Sequence, residues 1–283
     1  VRAVLFRMNE MNDHLEIEMA GNKGTNMIDL DLTGKRAVVT GASLGIGAAT
    51  VKALADQGAL VSFCARNKDA VGELASYSDS VTGYVADMGN AEGVNGFLDA
   101  VEADGGADIL VNNVGSSPSR NFLYMPDEDW MELYELNLLS AVRCTRRLLP
   151  KMRKQKWGRV IMIATTAAKY PGAALIDYGT SKAAMISMSK SLARKYGVDG
   201  VLVNSVLPGL IHTAMWERAA AEIAKATDST METVIKNNGR NVPVGRYGTA
   251  EEVAAVIVFL SSKAASYVNG VSMEVDGGQS GHI

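Results

Sequence analysis

Cysteine, histidine and long apolar runs are all scarce in this chain, and each scarcity closes off a class of function. The two cysteines among 283 residues cannot build a disulfide framework. Cys64 stands in an apolar strand-like run and Cys144 in a helical one, which suits small buried hydrophobes in a reducing compartment. The three histidines, His14, His212 and His282, are far apart and lack ligand spacing, so no metal site is expected. No apolar run approaches the roughly 18 residues that a bilayer crossing needs; the best, "VAAVIVFL" from Val253, has the length of a buried helix face. Positive charge is not in excess either. With a net charge of −3 the chain has little with which to neutralise nucleic-acid phosphates. The opening stretch scatters its charges and has no clean apolar block, unlike a secretory signal. A cytoplasmic protein is expected, with neither membrane nor nucleic acid as partner.

What is present is a globular balance of 47% hydrophobic and 21% charged residues. Short β-branched runs alternate with longer helical stretches: "RAVVT", "LVSFCAR", "VTGYVAD", "ADILVNNVG", "GRVIMIATT", "VLVNSVLPG" and "VSMEVDGG". Strands that are apolar almost throughout are buried on both faces, and strand-helix repetition gives a parallel sheet covered by helices on each side. The expected fold class is α/β, a single doubly wound parallel sheet of about seven strands. No Pro/Gly/Ser-rich linker interrupts it, so residues 27–283 are taken as one domain and residues 1–26 as an N-terminal extension with little periodicity.

Alternation breaks once. From Ile211 to Asn241 the chain reads "IHTAMWERAAAEIAKATDSTMETVIKNNGRN", with Met215, Ala219, Ile223, Met231, Val234 and Ile235 at helical spacing. Two helices joined near Asp228 are expected. An insertion directly after a strand's C-terminal end, where open α/β sheets bind ligands, is placed to be a lid over a substrate, with Met215 and Trp216 facing it.

Two stretches carry chemistry. "VVTGASLGIGAATVKAL" sets Gly41, Gly45 and Gly47 between a strand and a helix. Such a turn lets the backbone approach a pyrophosphate, whose charge is met by unpaired N–H groups and the positive end of the helix dipole. Further on, Tyr178 and Lys182 are four apart and so share one helix face. A free phenol has a pKa near 10, and lowering it to about 7 takes roughly 4 kcal/mol. An ammonium about 4 Å away supplies that order of energy at an effective dielectric near 20. Tyr178 is therefore expected to be a general acid for ketone reduction and a base for alcohol oxidation, with its pKa lowered by Lys182.

The G-x-x-x-G-x-G spacing, "NNVG" at Asn112 to Gly115, Y-x-x-x-K at Tyr178 to Lys182, Pro208-Gly209 and the closing "VDGG" occur in the order of the short-chain dehydrogenase/reductase family, which the chain resembles from about Leu30 to Gly278. The resemblance implies a Rossmann-type fold, a nicotinamide cofactor and a homotetramer or dimer. It also implies that Thr165, thirteen residues before Tyr178, stands where the family has a serine that holds the substrate oxygen. Threonine keeps the hydroxyl but narrows the pocket by a methyl, and Thr166 is the fallback donor. Asn137 matches the family's helix asparagine that supports a water chain to the lysine. Ser43, Leu44 and Ile46 fall in the glycine loop. Asp87 resembles the adenine-contacting acid, with Met88 beside it, although an Asp there also reads as a helix cap. Asn113 and Gly115 would border the ribose, and Pro208, Gly209, Ile211 and Thr213 the nicotinamide.

Cofactor choice rests on the end of the second strand. An NAD-selecting site places a carboxylate there for the ribose 2′-OH, whereas this chain has Ala65 followed by Arg66. A guanidinium can clamp a 2′-phosphate in bidentate fashion, and Ser43 can add a hydroxyl. NADP(H) is favoured over NAD(H), although Leu44 stands where NADP-preferring relatives often carry a second basic residue. The expected function is hydride transfer between NADP(H) and a hydrophobic carbonyl or secondary alcohol. The alternatives are a hydride-returning epimerase or dehydratase and a non-catalytic dinucleotide sensor.

Overall fold

The computed structural model describes residues 28–173 and 175–281; the 1–26 extension and the side chain of Met215 lie outside that description. All seven expected strands form: β1 Arg36–Thr40, β2 Leu60–Ala65, β3 Val81–Val85, β4 Ile109–Asn112, β5 Gly158–Ile163, β6 Val201–Pro208 and β7 Ser272–Val275. They build one parallel sheet in the order β3-β2-β1-β4-β5-β6-β7. Strand order reverses between β1 and β4, and a doubly wound sheet opens its ligand crevice at that point, beyond the strands' carboxyl ends.

Period-two alternation sorts the strand side chains onto two faces. On one face Ala37, Val39, Ile109, Val111, Ile161 and Ile163 pack under helices α1 (Gly45–Asp56) and α9 (Ala250–Ser261). On the other, Val38, Leu110, Val160 and Met162 meet α3 (Ala91–Ala103), α5 (Ser140–Lys154) and α6 (Ile176–Tyr196). The remaining helix at the β3 edge is α2 (Lys68–Ala75). Both cysteines belong to the second face, are buried, and have thiols that burial pushes up to about 12. They act as the small hydrophobes expected of them.

Helix α4 (Asp127–Tyr134) does not run straight into α5; a π-helical segment, Glu135–Leu139, lies between them. Spacing alone gives an ordinary helix here. One inserted residue turns the following side chains to a different face, and Asn137 sits inside the insertion.

The 211–241 segment forms two helices, α7 (Ala214–Ala226) and α8 (Met231–Arg240), joined through Asp228 in the left-handed region at φ +47°. Its seam is made by Ala220, Ala224 and Val234, with Ile235 against them. Val234 and Ile235 of the expected stripe lie in this seam, Ile223 and Met231 are exposed, and the side chains of Met215 and Ala219 lie outside the described residues. The excursion is pinned at its base by a parallel bridge between Ile211 and Gly248, with His212 N–H donating to Gly248 O at 2.9 Å and Gly248 N–H to Leu210 O at 3.0 Å. Trp216 and Tyr247 hold it from the side, ring to ring at 5.6 Å.

Candidate active site

The glycine loop follows β1, and its three glycines serve two needs. Gly41 and Gly45 take positive φ, +66° and +57°, where a Cβ would be strained. At Gly47 the constraint is space: a Cβ would lie 2.6 Å from both Asn113 Nδ2 and Gly41 O. Asn113, expected at the ribose, is committed to the loop itself. Its Nδ2 donates to Thr40 O at 3.0 Å and Gly41 O at 2.8 Å, and its backbone N–H donates to Thr40 Oγ1 at 3.1 Å.

Helix α1 begins under this loop with Leu44 at its N-cap, a side chain that caps nothing, and with no acid in its first turn. Elsewhere Asn67, Asn90, Thr213, Thr230 and Thr249 cap α2, α3, α7, α8 and α9, and Asp177 and three acids stand in the first turns of α6 and α4. Among the described helices that start from a loop, α1 alone leaves its first N–H groups and its dipole unanswered. These are the features that a pyrophosphate completes, so the residues fit a dinucleotide. Ser43 is half-buried and Leu44 exposed, while Ile46 packs against the core. Thr213, the N-cap of α7, lies against the loop: a Cβ on Gly45 would lie 3.1 Å from its Cγ2.

At the other end of the crevice Arg66 stands exposed just past β2. Asp87 is exposed beyond β3 and accepts from Gly89 N–H at 3.0 Å, while Asn90 caps α3; the cap reading of Asp87 is thereby corrected. Met88 is a core side chain, 3% exposed, so only its backbone can face an adenine. Ile211 is also core. Pro208 ends β6, and Gly209 is wedged against Asp276, whose Cβ would lie 2.6 Å from a Cβ placed there.

The side chains expected to be catalytic gather at the ends of β4 and β5. Thr165 starts a 3-10 turn, Thr166–Ala168, with its Oγ1 accepting from Ala167 N–H at 3.3 Å. Its hydroxyl is close enough to the Tyr178 phenol to draw that group's pKa down. Lys182 is 2% exposed and donates to Ile163 O at 2.9 Å and Val114 O at 3.3 Å. A Cβ on Gly115 would stand 3.0 Å from its Nζ, so glycine here leaves room for the ammonium. Asn137, fully buried, exchanges two bonds with Ser116: Ser116 N–H donates to its Oδ1 at 2.9 Å and its Nδ2 donates to Ser116 O at 3.0 Å.

One electrostatic expectation is overturned. Burial, not the ammonium, dominates Tyr178: its phenol is pushed up to about 12, with the Thr165 hydroxyl drawing it partly back. Lys182 is itself lowered to about 8 by burial, and its Nζ is directed to two backbone carbonyls. The protein's own groups therefore keep the phenol protonated near neutrality.

Three residues of the site had no signal in spacing or composition. Ser181, fully buried, donates to Tyr178 O at 2.8 Å and accepts from Asn137 Nδ2 at 3.1 Å, linking the π segment to the catalytic helix. Arg120 and Asp177, 57 positions apart, form an ion pair beside Tyr178. Lys169, which lies on the loop after Thr165, pairs with Glu274 on β7, Nζ to Oε1 2.6 Å. Among the described residues no three His, Cys, Asp or Glu side chains group as a metal site, and no helix is long and apolar enough to cross a membrane.

Comparison with known proteins follows the same lines. A sequence profile described as Enoyl-(Acyl carrier protein) reductase matches residues 41–280. The chain is 38% identical over 259 residues to the uncharacterized oxidoreductase YvrD of Bacillus subtilis, covering 89% of this chain and 98% of that protein. It is 35% identical over 251 residues to the 3-oxoacyl-(acyl-carrier-protein) reductase FabG of Vibrio cholerae, covering 88% and 98%. Its fold superposes with a TM-score of 0.87 on L-sorbose reductase from Gluconobacter frateurii, solved with NADPH and L-sorbose, at 34% identity over 90% of this chain and all of that one. A parallel seven-stranded sheet, a glycine loop beneath an uncapped helix and relatives matched over nearly their whole length have one common meaning: the chain belongs to the short-chain dehydrogenase/reductase family and is an NAD(P)-dependent oxidoreductase.

Proposed function

We propose that the enzyme reduces a hydrophobic ketone with NADPH, Tyr178 donating the proton to the carbonyl oxygen. The observation that carries this is the cluster of half-buried Thr165 and Tyr178 with buried Lys182, gathered at the carboxyl ends of β4 and β5 with Lys182 Nζ against Gly115. The bound reduced nicotinamide supplies a hydride to the carbonyl carbon. The protein's part is the oxygen. Thr165 Oγ1 and the Tyr178 phenol are the two hydroxyls assigned to that oxygen as hydrogen-bond donors, and a phenol held near 12 arrives protonated. Lys182, near 8, titrates close to the working pH and is suited to return the proton afterwards. Asn137 and Ser181 hold the helix that carries both.

Arg66 and the absence of a carboxylate after β2 support NADP(H) over NAD(H), as does the NADPH bound in L-sorbose reductase. The exposed Ile223 and Met231 on the lid support an apolar substrate. A charged tail would find Lys169 already paired.

Purified enzyme is tested on a panel of ketones by loss of NADPH absorbance, with NADH in parallel. Tyr178→Phe is expected to lower turnover roughly 10²- to 10⁴-fold while NADPH still binds by fluorescence titration. Retained turnover in that variant would overturn the role of Tyr178, a higher kcat/KM with NADH would overturn the cofactor preference, and product without net NADPH loss would indicate a hydride-returning reaction.

A further inference from the structure

The first turn of α6 is built under constraint. Leu175, its N-cap, takes a left-handed conformation, φ +57° and ψ +44°, which costs a non-glycine residue on the order of 1 kcal/mol and persists only where surrounding contacts impose it. Two residues later Asp177 is 1% exposed, a carboxylate with almost no access to water. Its Oδ1 accepts the backbone N–H of Tyr178 at 2.8 Å, and its Oδ2 lies 3.4 Å from Arg120 Nη1. Arg120 comes from the loop after β4. It is anchored there by Asp129, whose backbone O accepts from Nη1 at 2.9 Å and whose Oδ2 lies 3.4 Å from Nε, and by Glu132, 3.7 Å from Nη2. On its other side the first turn lies against the 3-10 turn of Thr165, where a Cβ on Gly179 would come 3.3 Å from Ala167 O.

From these contacts we infer that Asp177, held by Arg120, is a positioning residue for Tyr178. One carboxylate oxygen holds the tyrosine's own backbone N–H and the other is fixed to a neighbouring segment, so the phenol stays within reach of the Thr165 hydroxyl. Neither residue touches the reacting atoms. A buried carboxylate stripped of its guanidinium is costly, and a first turn free to relax from the Leu175 conformation would carry the phenol with it. A displacement of about 1 Å in a reacting group is enough to lower turnover about 100-fold.

The inference rests on the proposed role of Tyr178, and the experiment separates the two. Steady-state reduction, NADPH affinity by fluorescence and thermal unfolding are measured for Asp177→Ala, Asp177→Asn, Arg120→Met and Tyr178→Phe. Asp177→Ala is expected to lower kcat roughly 10- to 100-fold, with KM and NADPH affinity within about twofold. Asp177→Asn, whose amide oxygen still accepts the Tyr178 N–H, is expected to recover most of that loss. A merely structural aspartate would give a kcat loss that tracks weakened NADPH binding and is not rescued by asparagine, and that outcome overturns the inference, as does wild-type kcat in Asp177→Ala. Should Asp177→Ala fail to fold, Arg120→Met decides: reduced kcat with intact NADPH binding supports the inference and wild-type kcat overturns it. If Tyr178→Phe alone keeps full turnover, the role of Tyr178 fails instead.

Discussion

Lys182 is the most demanding single residue in the molecule. Among the described residues its ammonium has no carboxylate partner, only the carbonyls of Val114 and Ile163 and the sulfur of Met185, and burial lowers it from 10.5 to about 8. The unfolded chain therefore binds the proton more tightly than the folded one. Below about pH 8 the folded state bears the full cost of the buried charge; as pH rises toward 10 the folded lysine loses its proton first and that cost fades, so this residue makes stability rise with pH. Urea unfolding at pH 8 and pH 10 should show the wild type gaining about 2 kcal/mol relative to Lys182→Met; equal changes in the two proteins would show that the ammonium is not desolvated. That Tyr178 and Lys182 share one helix was legible from a spacing of four. The direction of the tyrosine's shift was not, because it depends on depth and on carbonyls supplied by β4 and β5, which no local pattern records. Arg120 and Asp177 escaped for the same reason: each is an ordinary surface residue until the fold joins them.

At the scale of the element, the glycine loop and its helix were readable because turn chemistry is local. Gly41, Gly45 and Gly47 announce a strand-turn-helix, and the structure adds that Gly47 is required for space. Gly47→Ala is expected to destabilise the protein by about 1–3 kcal/mol and to weaken NADPH binding, since two of the three atoms it would strike are backbone. Gly96→Ala, in α3 with no atom within 4 Å of the new Cβ, should instead stabilise by about 0.5–1 kcal/mol. Thermal unfolding of the pair checks both signs, and the same sign for both would refute the packing account. The π segment was not readable. Its residues have good helical spacing, and the extra residue that turns Asn137 toward Ser116 and Ser181 is stabilised by those distant partners. The lid lies between these cases: two helices and a joint near Asp228 follow from the pattern, but the alanine seam was hidden behind larger apolar neighbours.

Across the whole molecule all seven strands were legible as short β-branched runs between helical stretches, while their ends were not: "ADILVNNVG" contributes only Ile109–Asn112 to β4 and "VSMEVDGG" only Ser272–Val275 to β7. What remains unburied is also informative. Phe122, Leu123, Tyr124 and Met131 are all exposed, Tyr124 at 82%, on one stretch of chain where Phe122 and Trp130 meet ring to ring. Apolar side chains gathered in this way mark an association surface, and light scattering at micromolar concentration is expected to give a dimer or tetramer that Met131→Glu shifts toward smaller species; a wild-type monomer would refute it. The pinned base of the lid has an evolutionary consequence. A segment that leaves the scaffold at Ile211 and returns beside its point of departure at Gly248 can be lengthened, shortened or exchanged at little entropic cost, since doubling such a loop adds only about 0.6 kcal/mol. The seven-stranded sheet and the glycine loop therefore need not change when that one appendage does.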